Sequence, residues 1–338
     1  MRAIIFIVIL LNILFSTQYA EAQTIKLGTL APDGSPWYTS LRDINERWKE
    51  ASNDEVRLKI YPGGVLGDEA DMIRRMRIGQ LHAATLSAVG LGLIIPEINA
   101  IQMPLLFDSY EELDYVRDKL TPRFEKLLED KGFIVLFWGD AGWVHIFSQK
   151  PVVYPNDLKG QKIFVSAGES ETFAAWKAAG FHPVEVAATD MLTSLQTGLV
   201  NVYNTTPLLS LSFQWFALAK NMTDLPWMPF IGATVITKKR WEQIPDEIRP
   251  ALKNIAMSNG GNLKAEIRAL DKEAVEVMKN HNLVVHHVPL EAENEWKRMA
   301  DKYVYDEFLD KLFPRDIFEE AKKLLDEYRA QKFMVEEQ

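Results

Sequence analysis

Asn156-Asp-Leu-Lys-Gly-Gln-Lys-Ile-Phe-Val165 reads as a polar turn closed by a glycine and followed by a short apolar strand. Gly160 is the residue type that ends such turns, and Lys162 to Val165 carries the strand. The elements downstream alternate. Ser170 to Gly180 has helical spacing and ends in glycine, Val184 to Val186 is a strand, Thr189 to Gly198 a helix, and Val200 to Tyr203 a strand. Strands separated by helices of this length predict a parallel sheet covered by helices.

The same alternation opens the chain. Thr24 to Leu30 is an alternating strand that ends in the turn-rich Ala31-Pro-Asp-Gly-Ser-Pro36. Trp37 to Ser52 is a helix by the spacing of Leu41, Ile44 and Trp48. Val56 to Tyr61 is a second strand, Asp68 to Gly79 a helix and Leu81 to Ser87 a third strand. Leu113 to Lys131 predicts another helix. Phe133 to Trp138 is an uninterrupted apolar run, as expected of a strand buried on both faces. Thr234 to Thr237 alternates again. From Asp246 to about Asn280 apolar residues recur at helical spacing, giving one long helix or two joined at Gly260-Gly261, where the glycines could introduce a kink. Leu283 to Val288 reads as a strand, and Glu291 to Leu309 and Asp316 to Gln331 as helices. Two α/β cycles of similar size, with no low-complexity linker between them, predict two lobes that exchange segments across hinge strands. A ligand site then falls in the cleft.

Composition narrows the function. The chain has 338 residues, 47% hydrophobic and 25% charged, enough for two real cores. A net charge of −9 argues against nucleic acid, which requires a dense cationic face. Residues 1–22 read as a cleaved export signal: Arg2, an apolar run from Ile4 to Phe15 broken only by Asn12, and a small-x-small site at Ala20-Glu-Ala22. That run is short of the roughly 20 residues a membrane span needs. There is no cysteine, so a lipoprotein anchor and disulfides are both excluded, which fits a bacterial periplasmic protein stabilised by its core. Nucleophile-elbow, phosphate-loop, dinucleotide and H-E-x-x-H motifs are missing, which disfavours an enzyme. His281, His286 and His287 lack the cysteine or spaced carboxylate that would complete a metal set. Asp68, Glu69 and Asp71 suit a helix start, where acidic side chains favour the dipole. Trp37, Trp143, Phe164, Tyr203, Trp215 and Trp227 all fall in or beside loops and strand ends, the positions that face a cleft, and predict a partly apolar pocket.

Six segments in order resemble the solute-binding proteins of tripartite ATP-independent periplasmic (TRAP) transporters, the DctP type, across essentially the whole chain after residue 22. They are Ile25-Lys-Leu-Gly-Thr-Leu-Ala-Pro32, Tyr61-Pro-Gly-Gly-Val-Leu-Gly-Asp-Glu69, Gly79-Gln-Leu-His-Ala-Ala84, Asp157 to Val165, Leu195-Gln-Thr-Gly-Leu-Val200, and Thr237-Lys-Lys-Arg-Trp-Glu-Gln-Ile-Pro245. The resemblance implies an α/β, two-lobed periplasmic binding protein fold (type II-like) with hinge strands and a long domain-spanning helix. It implies lobe I at 23–141 plus about 230–270, lobe II at 142–229 plus about 271–312, and a C-terminal helix at 313–338. It further implies a non-enzymatic receptor without cofactor or metal, located in the periplasm, which captures a small ligand by lobe closure and delivers it to membrane permease subunits.

The departures bear on the ligand. Where the family carries a carboxylate-clamping arginine, this chain has Phe164. Where a second arginine commonly follows the hinge glycine-aromatic pair, Gly142-Trp143 is followed by Val144, and a frequent family aromatic is Ala188. A buried carboxylate without a fixed cation forfeits several kcal/mol of charge-assisted hydrogen bonding. The expected ligand is therefore uncharged or hydrophobic, held by Trp37, Glu69, Trp143, Val144, Phe164, Ala188, Tyr203, Asn204, Thr205 and Trp227, with Tyr203, Asn204, Thr205 and Thr206 supplying hydrogen bonds. This pattern is similar to a TRAP subgroup that works with tetratricopeptide-repeat partner proteins. The alternatives are a carboxylate binder with a relocated cation such as Arg74 or Arg75, and a periplasmic sensor or lipid carrier on the same fold.

Overall fold

The computed structural model describes residues 22–336. The expected export signal, apart from Ala22, lies outside them. Among the described residues no helix is long and apolar enough to cross a membrane.

Nine strands form one hydrogen-bonded sheet in the order β2-β1-β3-β8-β4-β7-β5-β6, with β9 on β8. In one lobe, β1 (Gln23–Thr29) lies parallel to both β2 (Val56–Tyr61) and β3 (Ala83–Ser87). In the other, β5 (Lys162–Ser166) lies parallel to β6 (His182–Val186) and β7 (Val202–Thr205). The two groups are joined by β4 (Phe133–Ser148) and β8 (Asn221–Thr237), which run antiparallel from Phe133↔Thr237 to Ser148↔Asn221. One end of β8 pairs β3. Its other end pairs β9 (Val284–His287), and the matching end of β4 pairs β7.

The apolar run at Phe133 therefore continues ten residues beyond Trp138. Gly139, Asp140 and Gly142 have the composition of a turn, but here they carry β-bulges, with register shifts between Asp140 and Gly142 and between Val144 and Ile146. Gly142 sits at φ +109°, in the left-handed region that favours glycine.

Helices cover both faces: α1 (Pro36–Ala51), α2 (Glu69–Arg77), α3 (Tyr110–Asp130), α4 (Ser170–Ala178), α5 (Met191–Gln196), α6 (Pro207–Ser212), α7 (Arg249–Asn280), α8 (Leu290–Met299) and α9 (Arg315–Glu336). At α1, Ser35 accepts from the Tyr38 N–H and Pro36 opens the first turn, and Leu41, Ile44 and Trp48 are buried as their spacing requires. The long segment is a single helix of 32 residues, about 48 Å at 1.5 Å per residue. It is continuous through Gly260-Gly261. The glycine at 260 serves close approach instead: a Cβ there would lie 2.6 Å from the Phe137 ring. Leu252, Ala256, Leu263 and Ile267 join the core beneath α1 in one lobe, and Met278 joins a core of the other, so α7 spans both.

Glu291 to Leu309 is not one helix. After α8 the backbone widens into a π-helical turn at Ala300–Tyr305 and ends in a short helical turn at Asp306–Phe308. The C-terminal α9 packs on the first lobe. Arg329 bonds Glu112 at 2.8 Å, Arg123 bonds Asp316 at 2.7 Å, and Tyr328 meets Tyr115 at 5.2 Å between ring centroids.

Candidate functional site

A cavity of about 500 Å³ opens between the lobes, beneath the middle of β4 and β8. The loops after β1 and β3 line it from one lobe, as do the ends of β5 and β7 from the other, consistent with sites at the carboxyl ends of parallel strands. Eight of the expected site residues meet here: Trp37, Glu69, Val144, Phe164, Ala188, Asn204, Thr205 and Trp227.

Two expected residues do not. Val144 faces the cavity, and successive strand residues point to opposite faces, so Trp143 faces away from it. Its ring packs on Tyr110 at 5.4 Å and lines a separate cavity of about 330 Å³ with His145, Arg268 and Asp271. Tyr203 has no exposed surface. It stacks on Phe147 at 5.2 Å, its hydroxyl meets Ser210 Oγ at 2.7 Å, and it packs edge-on against Trp215, which does line the cavity. Thr206 is also consumed by structure: it is fully buried and accepts from the Leu209 N–H at the start of α6. Neither Arg74 nor Arg75 lines the cavity, and Arg74 is paired with Asp71 at 2.7 Å.

The wall is mainly aromatic and aliphatic. Trp227 stacks on Trp176 at 6.4 Å and meets Trp296 edge-on at 5.6 Å, which fixes its plane. Trp37 donates its indole N–H to the Asp140 carbonyl at 3.3 Å. Phe164 is half-buried on β5. Sequence reasoning missed Trp176, Phe230 and Glu169, which also line the cavity. Trp176 lies on α4, where a large apolar residue reads as core, and Glu169 in a loop, where a carboxylate reads as solvated.

Among the described residues that line the cavity there is no lysine, arginine or histidine; the charged ones are Glu69, Asp140 and Glu169. Two of the three are already engaged. Glu69 accepts from Ser87 N at 2.6 Å, Ser87 Oγ at 2.7 Å and Gly90 N at 2.8 Å, so it ties α2 to the loop after β3. Burial pushes its pKa up against those three donors. Asp140 accepts from Arg117 at 2.6 Å and Arg268 at 2.7 Å, and both arginines also hold Asp114. Arg268 lies over the Tyr110 ring at 4.0 Å. The cations nearest the hinge thus form a closed network on the side away from the main cavity.

Glu169 is the exception. It accepts from Ser166 N at 3.2 Å, the long end of the usual range, and from Thr172 Oγ1 at 3.4 Å, beyond it, and it forms no ion pair among the described residues. Burial, with the facing Glu69 carboxylate, pushes its pKa up to about 7. Asn204 Oδ1 is buried and has no hydrogen-bond partner. No group of three or more metal-ligating side chains exists among the described residues.

Comparison with known proteins gives a consistent picture. The profile of DctP, a bacterial extracellular solute-binding protein of family 7, matches residues 27–311. The 2,3-diketo-L-gulonate-binding periplasmic protein YiaO of Escherichia coli is 25% identical over 265 residues, covering 77% of this chain and 80% of that protein. The sialic acid-binding periplasmic protein SiaP of Vibrio cholerae is 24% identical over 298 residues, covering 85% and 88%. The crystal structure of a TRAP periplasmic solute binding protein from Ralstonia eutropha, with bound (S)-2-acetolactate, superposes with a TM-score of 0.83 at 22% identity, covering 90% of this chain and 99% of the other. Family match, shared fold and inter-lobe cavity agree: the chain belongs to the DctP family of bacterial extracellular solute-binding proteins, family 7.

Proposed function

We propose that this protein is the periplasmic receptor of a TRAP transporter for a small, largely hydrophobic ligand, captured between the lobes and handed to membrane permease subunits. The observation that carries the reading is the cavity lining, mainly aromatic and aliphatic and with no cation among the described residues. Its volume of about 500 Å³ falls within the roughly 300–1,000 Å³ usual for small-molecule sites. In this reading Trp37, Val144, Phe164, Ala188 and Trp227 form the apolar wall, Asn204 and Thr205 supply hydrogen bonds, and Glu69 shapes the loop after β3. Binding favours the closed arrangement of the lobes, and the permease reads that arrangement. The proposal extends to export by a cleaved signal and to a tetratricopeptide-repeat partner, whose co-purification with the receptor would support the subgroup assignment.

The test is native mass spectrometry with lipid extraction, on protein as isolated and after unfolding and refolding. A co-purifying apolar molecule lost on refolding supports the reading. A second reading, carboxylate capture, is favoured by the names of YiaO and the acetolactate-bound structure. A ligand-free protein stabilised by small carboxylates would establish it and overturn the first.

A further inference from the structure

The hydrophobic reading leaves two polar groups in the cavity with acceptor capacity unused. Glu169 accepts only one long bond on each oxygen, from Ser166 N at the end of β5 and from Thr172 Oγ1 on α4, with no cation among the described residues to answer its charge, and Asn204 Oδ1 is buried with no partner at all. Both are acceptors, and both line the same space as Trp227 and Phe164. A buried acceptor left unpaired is costly, so a molecule that fits this cavity brings donors to it. A carboxylate brings none. A neutral hydroxyl brings one. An ammonium brings three, and its charge is answered by a carboxylate and by neighbouring aromatic faces.

We propose that the ligand is an apolar amine, its nitrogen bonded to Glu169, with Asn204 Oδ1 a further acceptor on the same cavity wall, and its hydrocarbon body laid against the aromatic wall. This rests on the hydrophobic-ligand reading and adds a head group to it. Glu169 becomes the specificity-determining residue: it rejects carboxylates by like-charge repulsion and selects amines over alcohols of the same length. The charged groups around it leave it free for that role. Glu69 faces it from α2 but is satisfied within its own lobe, Asp140 is neutralised by Arg117 and Arg268, and Glu185 on β6 is exposed and accepts from Gly168 N. Proton uptake by Glu169 near pH 7 would remove the charge that the amine requires.

The experiment measures binding of octylamine, 1-octanol and octanoate to the refolded protein, by calorimetry at pH 6 and pH 8, in wild type and in Glu169→Gln. The expected result at pH 8 is octylamine bound at least about tenfold more tightly than octanol, the scale of a charged hydrogen bond. That preference shrinks at pH 6, where Glu169 is largely protonated and the amine is still cationic, and it disappears in Glu169→Gln, whose melting transition checks folding. The pH comparison in wild type stands even if the variant folds poorly. Equal binding of amine and alcohol, or a preference that survives in a folded Glu169→Gln, overturns the amine head group and leaves the hydrophobic reading intact. Octanoate as the tightest of the three, or no binding by any of them, overturns both.

Discussion

Replacing Gly142 by alanine tests the hinge directly. Gly142 lies at φ +109° on a bulge of β4, and a Cβ there would stand 2.5 Å from Asp271 Oδ2. An L-residue in a sparsely populated backbone region costs on the order of 1–3 kcal/mol. Asp271, buried on α7, cannot withdraw freely, because its carboxylate accepts from Leu208 N at 3.0 Å and from the backbone N–H of Trp143. Displacing it adds about 1–3 kcal/mol for a buried hydrogen bond disturbed. The combined loss is about 2–6 kcal/mol, a large share of the 5–15 kcal/mol typical of a folded domain. Urea unfolding followed by tryptophan fluorescence measures it. Gly139→Ala is the control, since a Cβ there meets nothing within 4 Å. A loss below about 1 kcal/mol for Gly142→Ala, no larger than the control's, would refute the account of the hinge.

Phe164→Trp should narrow the cavity and weaken capture of a co-purifying ligand, whereas unchanged affinity would show that β5 does not line the ligand's site. Glu69→Ala should destabilise by about 3 kcal/mol or more in the same unfolding assay, because it strands three donors, two of them backbone N–H groups. Burial raises the Asp271 pKa to about 7, so the folded state holds a proton that the unfolded state releases. The sign follows: stability is highest below the unfolded pKa near 4 and falls as pH rises towards 7, by up to about 4 kcal/mol. Asp271→Asn should lack that slope. Parallel stability–pH curves for variant and wild type between pH 4 and pH 8 would contradict it.

Much of the fold was legible because its periodicities are local. Leu41, Ile44 and Trp48 announce α1, and nine buried positions at helical spacing announce α7. The hinge was not. Gly139 to Gly142 has the composition of a turn, and only pairing with β8, some ninety residues on, keeps it in a strand. That one omission explains the misplacement of Trp143: its face follows from strand parity, which is undefined until the strand is known to continue. Tyr203 was misjudged for a related reason. The strand begins at Val202 and not Val200, and a tyrosine with a buried serine partner looks the same in sequence as one waiting for a ligand. Phe164, Val144 and Ala188 line the cavity, at positions that the resemblance supplied. Glu169 could have drawn notice only as a carboxylate one short turn beyond the Phe164 strand, a signal that ordinary surface loops share.

The lobes are joined by a hydrogen-bonded ribbon, not by tethers. Two paired strands of 16 and 17 residues pass through both halves. Such a connection would behave as a leaf spring, able to bend across its flat face and stiff to shear in its plane, with the bulges as its points of flexure. If the proposed function holds, closing on a ligand would cost elastic flexure and little chain freedom, and release would retrace the same arc, so that capture and release become one motion run in two directions.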